Sequence, residues 1–151
     1  MSFRLRQDAA DWFRDLRSSL DTDFDEYYFC LMAGLAEARK IAVPQAETAE
    51  LIRYFPGDYA SQGRIIVALF LKTELEELSV DMGERSLVNE TIRTYVDPRS
   101  PSSLSGEGEK EMNKYAHGGF ECLTEWFDDR PRTPEAFLPR FFKRISSSAH
   151  F

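Results

Sequence analysis

The chain has 151 residues, a formal charge of −7 and 42% apolar residues, including twelve Phe, six Tyr and two Trp. This length supports one core rather than two, and the apolar and aromatic content excludes a globally disordered chain. The negative balance excludes delocalised attraction to phosphate backbones or anionic lipid, so nucleic-acid contact requires a local basic patch.

In chain order, "SFRLR" alternates, with Phe3 and Leu5 on one side and Arg4 and Arg6 on the other, which predicts a short strand or extended arm. Asp8 reads as the cap of a first helix, in which Ala9, Trp12, Phe13, Leu16 and Leu20 recur at helical spacing. Acidic residues Asp21, Asp23 and Asp25 open a second, almost wholly apolar helix that ends at the basic pair Arg39 and Lys40. Residues 41–63 hold two prolines and two glycines and predict a long connection with one short helix from Glu47 to Tyr54. The run from Ile65 to Leu71 predicts a third, partly buried helix that turns acidic from Glu74, and a weaker helix covers residues 84–96. The Ser-, Gly- and Pro-rich stretch 97–109 reads as a mobile loop. "NKYAHGGFECLTEWF" follows as an amphipathic helix whose buried stripe includes Tyr115, Phe120, Leu123 and Trp126. Thr133 and Pro134 then suit the start of a last helix, which Pro139 is expected to kink or divide, and residues 146–151 are expected to fray. The expected fold is mainly α: a compact domain of about five helices over residues 3–127, with a short extended N-terminal arm and a basic, helical C-terminal extension over 128–151.

No charged-then-apolar opening reads as a leader, and no apolar run approaches the ~20 residues of a membrane-spanning helix. Cys30 and Cys122 each fall in an apolar helical pattern, where thiols pack as small hydrophobes. A cytoplasmic location without membrane partners is the expectation.

Catalytic motifs are scarce. Neither cysteine has a second one at metal-ligand spacing, so no structural zinc site is expected. His117 and Glu121 are four residues apart and can share a helical face, although a surface histidine beside acids is the simpler reading; His150 falls near the chain end. A Cys–His nucleophile built from Cys30 or Cys122 with His117 has no sequence signature. "SGEGEKE" resembles a phosphate loop only superficially, since Lys110 precedes Glu111 rather than Ser or Thr and acids crowd the loop. The carboxylate clusters at residues 21–26, 74–77 and 128–129 suit helix ends and solvated faces. No cofactor and no catalytic set is expected.

Basic charge is segregated. Arg130, Arg132, Arg140, Lys143 and Arg144 stand against Glu135 alone after residue 129, giving +4 there and −11 elsewhere. With Arg4 and Arg6 from the arm, these residues form a candidate surface for DNA or an acidic partner. The competing reading has the basic segment fold back on the chain's own acidic helices.

The adjacent Gly118 and Gly119 each cost ~0.5–1 kcal/mol relative to Ala inside a helix, so they predict a close backbone approach or a break, at an interhelical or subunit contact.

The ordered segments "FRLRQDAADWFRDL", "YYFCLMAGLAEAR", "ELIRYFPGDYASQGRIIVALFLKTELEE" and "NKYAHGGFECL" together resemble the E component of the Dnd DNA-phosphorothioation system over most of residues 3–123. The resemblance maps Gly57, Asp58 and Tyr59 onto that family's turn, and His117 and Gly119 onto its terminal motif. It implies a small, mainly helical, oligomeric and non-enzymatic accessory protein of a prokaryotic DNA-modification or anti-phage defence system. The implied partners are proteins of that complex, further copies of the chain, and DNA, with nicked duplex the expected form. Leu31 and Gly118 stand where that family's pattern has arginine, and both departures remove positive charge. Two alternatives remain open: an acidic protein-binding adaptor or DNA mimic that makes no DNA contact, and a small enzyme built on His117.

Overall fold

A computed structural model describes residues 2–148 and 151. The fold is mainly α. Among these residues there are six α-helices, five before residue 127 and a sixth in the C-terminal extension, with a two-stranded antiparallel sheet.

Strand β1 spans Phe3–Arg6 and alternates as expected, with Phe3 and Leu5 buried and Arg4 and Arg6 only half-buried. Its partner β2, Thr48–Ile52, corrects the short helix expected around Glu47 to Tyr54. A 3₁₀ turn at Gln45–Glu47 directly precedes it; the arm then pairs with residues 48–52, placing Arg4 opposite Glu50 and Arg6 opposite Thr48. The pairing residues lie more than forty positions apart, so local periodicity carries no trace of them.

Helix α1, Asp8–Trp12, is shorter than expected: the chain turns at Phe13, and Arg17–Ser19 form a separate 3₁₀ turn. This break still buries Phe13 and Leu16 in the core. Helix α2, Phe24–Glu37, is the central element, buried along most of its length. Its buried acid Glu26 accepts from Arg17 at 3.0 Å, and burial raises the Glu26 pKa against that cation. It ends at Ala38, which takes a left-handed conformation (φ 52°), while Arg39 N–H closes back on the Gly34 carbonyl at 2.9 Å.

Helix α3, Gly63–Glu77, turns Ile66, Val67 and Phe70 inward, and α4, Arg85–Tyr95, buries only Val88. The stretch after α4 is tied down and corrects the expected mobile loop. Val96 and Leu104 form a β-bridge, Leu104 is buried, and the buried Ser102 hydroxyl donates to Glu109 at 2.9 Å.

Helix α5, Gly106–Trp126, is capped by the Ser105 hydroxyl, which accepts from Gly108 N–H. Helix α6, Pro134–Ser146, is capped by the Thr133 hydroxyl, which accepts from Ala136 N–H at 3.2 Å. The helix runs unbroken through Pro139 rather than dividing there. Proline lies in its second turn, where the carbonyl deprived of an N–H partner belongs to the exposed Glu135.

The glycines explain how α2 and α5 pack. A β-carbon at Gly119 would stand 1.5 Å from the Cys30 carbonyl oxygen, one at Gly34 would stand 1.9 Å from that of Tyr115, and one at Gly118 would stand 2.2 Å from that of Arg39. The two helices therefore touch backbone to backbone, and the close approach lies within the chain.

A network around Glu74 joins the layers. This carboxylate, 1% exposed, accepts from Lys40 Nζ (2.9 Å), Tyr115 Oη (2.6 Å) and Tyr95 Oη (3.0 Å), linking α3, α4, α5 and the chain after α2.

Candidate functional site

Two places gather cations without fully neutralising them. One is α6. Phe137 and Phe141, four residues apart, face inward and pack on Phe29 at ring-centroid distances of 4.9 and 5.0 Å, while Phe127 stacks on Phe137 at 5.4 Å. The segment after residue 127 thus belongs to the same core as the rest. With that face anchored, helical geometry turns Arg140, Lys143 and Arg144 to solvent. The Arg140 guanidinium lies 5.6 Å from the Phe127 ring centre, and that of Arg144 lies 5.2 Å from the Trp126 ring. None of the three has a carboxylate within 4 Å among the described residues. Glu125 and Asp128 lie across a shallow hollow of about 460 Å³, and Glu125 is itself paired with Arg39 at 2.8 Å.

Three of the other residues expected to join this patch, Arg130, Arg6 and Arg4, are engaged elsewhere. Arg130 pairs with Asp15 at 2.7 Å, which is the expected fold-back neutralisation at that one position. Arg132 is exposed. Arg6 makes two 2.8 Å bonds to Asp8, which raise its pKa, and lies 5.0 Å over the Phe120 ring. Arg4 lies at the sheet.

The second place is a cleft of about 580 Å³ between the sheet and α5. Lys110, Asn113, Lys114 and His117 line it from one stripe of α5, at helical spacing. Arg4 faces them from β1, held by its Nε donating to Thr48 Oγ1 at 2.8 Å and its backbone N–H donating to Asn113 Oδ1 at 3.1 Å. Asn113 also accepts from Tyr27 Oη at 2.8 Å and donates to the Ser2 carbonyl at 3.1 Å, so the cleft floor is hydrogen-bonded to strand and core alike.

His117 corrects the surface reading: it is 4% exposed, and its Nδ1 is buried without a hydrogen-bond partner among the described residues. Burial first, then the nearby charges of Arg6 and Arg4, push its pKa down to about 4, so the ring is neutral at ordinary pH. Both cysteines are buried; burial pushes the Cys122 thiol up to about 11 and raises that of Cys30 as well. Protonated thiols are the reverse of activated nucleophiles. Among the described residues no three His, Cys, Asp or Glu side chains gather as metal ligands, and His150 lies outside those residues.

Gly57–Tyr59 form a 3₁₀ turn ahead of α3, with Gly57 at φ 37° and Asp58 exposed. The Tyr59 hydroxyl donates to Asp25 at 2.5 Å, and its ring packs on Phe24 at 4.9 Å. Asp25 also accepts from Asp21 N–H, so Tyr59 ties this turn to the N-terminus of α2. No helix among the described residues is long and apolar enough to cross a membrane.

Sequence reasoning singled out Arg4 and His117 but not their company. The signal is the recurrence of Lys110, Asn113, Lys114 and His117 at helical spacing, which shows only once α5 is seen to begin at Gly106, ahead of Lys110. Comparison of the chain with protein-family models, curated proteins and solved structures finds no match.

Proposed function

We propose that the chain is a non-enzymatic, oligomeric accessory protein that attaches to DNA through the cationic face of α6 and presents the rest of its surface to proteins of a DNA-modification or defence complex. The observation that carries this reading is the set Arg140, Lys143 and Arg144: three cations on one anchored helix beside Trp126, without carboxylate partners among the described residues, in a chain of net charge −7. Such a face suits contact with a phosphate backbone, where charge supplies affinity and aromatic neighbours hold the guanidinium planes. The resemblance to the E component of the Dnd system supports it. Exposed Ile65, Leu78, Met82, Leu87 and Ile92, all in the α3–α4 stretch, give protein partners or further copies an apolar surface.

A titration of nicked and intact duplexes at two salt concentrations, with oligomer mass measured alongside, tests the reading. Combined Arg140→Gln, Lys143→Gln and Arg144→Gln leaves Phe137 and Phe141 in place. It is expected to lower the slope of log affinity against log salt by about 2 to 3, at roughly 0.9 per lost phosphate contact. Equal binding by this variant would remove α6 as the DNA-contacting element. No salt-dependent binding by the unaltered chain would overturn the DNA reading in favour of the acidic adaptor.

A further inference from the structure

We propose that the cleft between the sheet and α5 binds a small organic phosphate monoester, at a site separate from the cationic face of α6. Its volume, about 580 Å³, lies within the range of small-ligand sites. Its charge runs against that of the chain: Arg4, Lys110 and Lys114 face it against Glu50 alone, although the protein carries −7.

These cations differ in availability. Lys114 is held by Glu111 at 2.8 Å, whereas Lys110 is exposed and makes no ion pair among the described residues. Arg4 is oriented in advance by Thr48 and Asn113, and its Nη1 carries no hydrogen bond among the described residues. A guanidinium fixed in this way loses little freedom when it takes an oxyanion. Two available cations match a phosphate monoester, which carries nearly two negative charges near neutral pH; a carboxylate would match only one.

The rest of the cleft suits the body of such a molecule. Ala42 and Val43 give it an apolar wall. His117, buried and lining the cleft, leaves its Nδ1 unpartnered, an unmet demand of the kind that a ligand hydroxyl or N–H group satisfies after a small shift. The ring's neutrality keeps it able to accept.

The test is calorimetric titration of the full chain with adenosine 5′-monophosphate and with glycerol 3-phosphate, using adenosine and glycerol as uncharged controls. Saturable one-to-one binding of a monoester is expected, with its control at least about ten-fold weaker. Lys110→Glu, at an exposed and unpaired position, is expected to leave the melting temperature unchanged and to weaken binding by about ten-fold or more. Glu50→Gln, which removes the one acid lining the cleft among the described residues, is expected to strengthen it. Arg140→Gln with Arg144→Gln should leave monoester binding intact, which separates failure here from failure of the DNA reading. The proposal is overturned if neither monoester binds at concentrations up to ~10 mM, if the controls bind equally well, or if Lys110→Glu binds as tightly as the unaltered chain.

Discussion

Gly119 has no room for a single methyl group, because the obstacle is the backbone carbonyl of Cys30 rather than the far end of a flexible side chain. Gly119→Ala must therefore force α2 and α5 apart. It is expected to lower stability by about 3 kcal/mol or more, read as a fall in denaturant midpoint, with Gly83→Ala, which meets only an ordinary contact at 3.5 Å, as the mild comparison. The need for a close approach was legible in "HGG", since two glycines inside a helix otherwise only destabilise it. What they approach was not, because Cys30, Gly34 and Arg39 stand about eighty residues earlier and nothing local marks them as the other half of the contact. The burial of His117 is hidden from the sequence for a related reason: one imidazole beside acids looks solvent-facing until the fold encloses it. Its lowered pKa has a consequence with a definite sign. Above pH 6.5 the ring is neutral whether folded or unfolded; as pH falls from 6.5 towards 4 the unfolded chain takes up a proton that the folded one refuses, and stability is lost. The loss is about 3 kcal/mol at most, and His117→Gln should show a correspondingly smaller drop in unfolding free energy between pH 7 and 5.

Helix existence was largely readable at the level of elements, and helix ends and partners were not. The apolar runs of α2 and α3, the stripe of α5 and the Thr-Pro start of α6 each satisfy a local rule. Strand β2 does not, since its pairing with β1 exists only after the chain has returned to its beginning. Glu74 illustrates the same divide. In sequence it opens an acidic run that reads as solvated surface. In the fold it points inward and joins two tyrosines to Lys40, while its neighbours Glu76 and Glu77 remain exposed. Glu74→Gln keeps the shape but removes the charge that these three donors face. About 2 kcal/mol of stability is expected to go with it, seen as a lower thermal midpoint, while Glu77→Gln, on the exposed side, changes little.

Across the whole molecule, uneven charge was visible from composition, and its disposition was not. The expected basic patch is divided by the fold: Arg130 is spent on Asp15, Arg140 and Arg144 are laid over aromatic rings, and Arg4 of the arm is taken into a different site altogether. Nor is the last helix a detachable tail. Removing residues 130–151 would strip two fully buried rings, Phe137 and Phe141, from beside Phe29 and Trp12, at a cost of about 3–5 kcal/mol each. A chain truncated after Asp129 is expected to bind an exposed-surface dye and lose its sharp thermal transition, whereas the three-residue α6 variant keeps it. The cleft and the α6 face also share one support. Lys110 and Trp126 lie sixteen residues apart on α5, about 24 Å along the helix axis, and between them Gly119 and Gly34 let the backbones of α5 and α2 meet. A joint closed by backbone against backbone has no rotamer to change at those points and no gap into which to slide, so α5 acts as a ruler: it sets the spacing between whatever occupies its two ends.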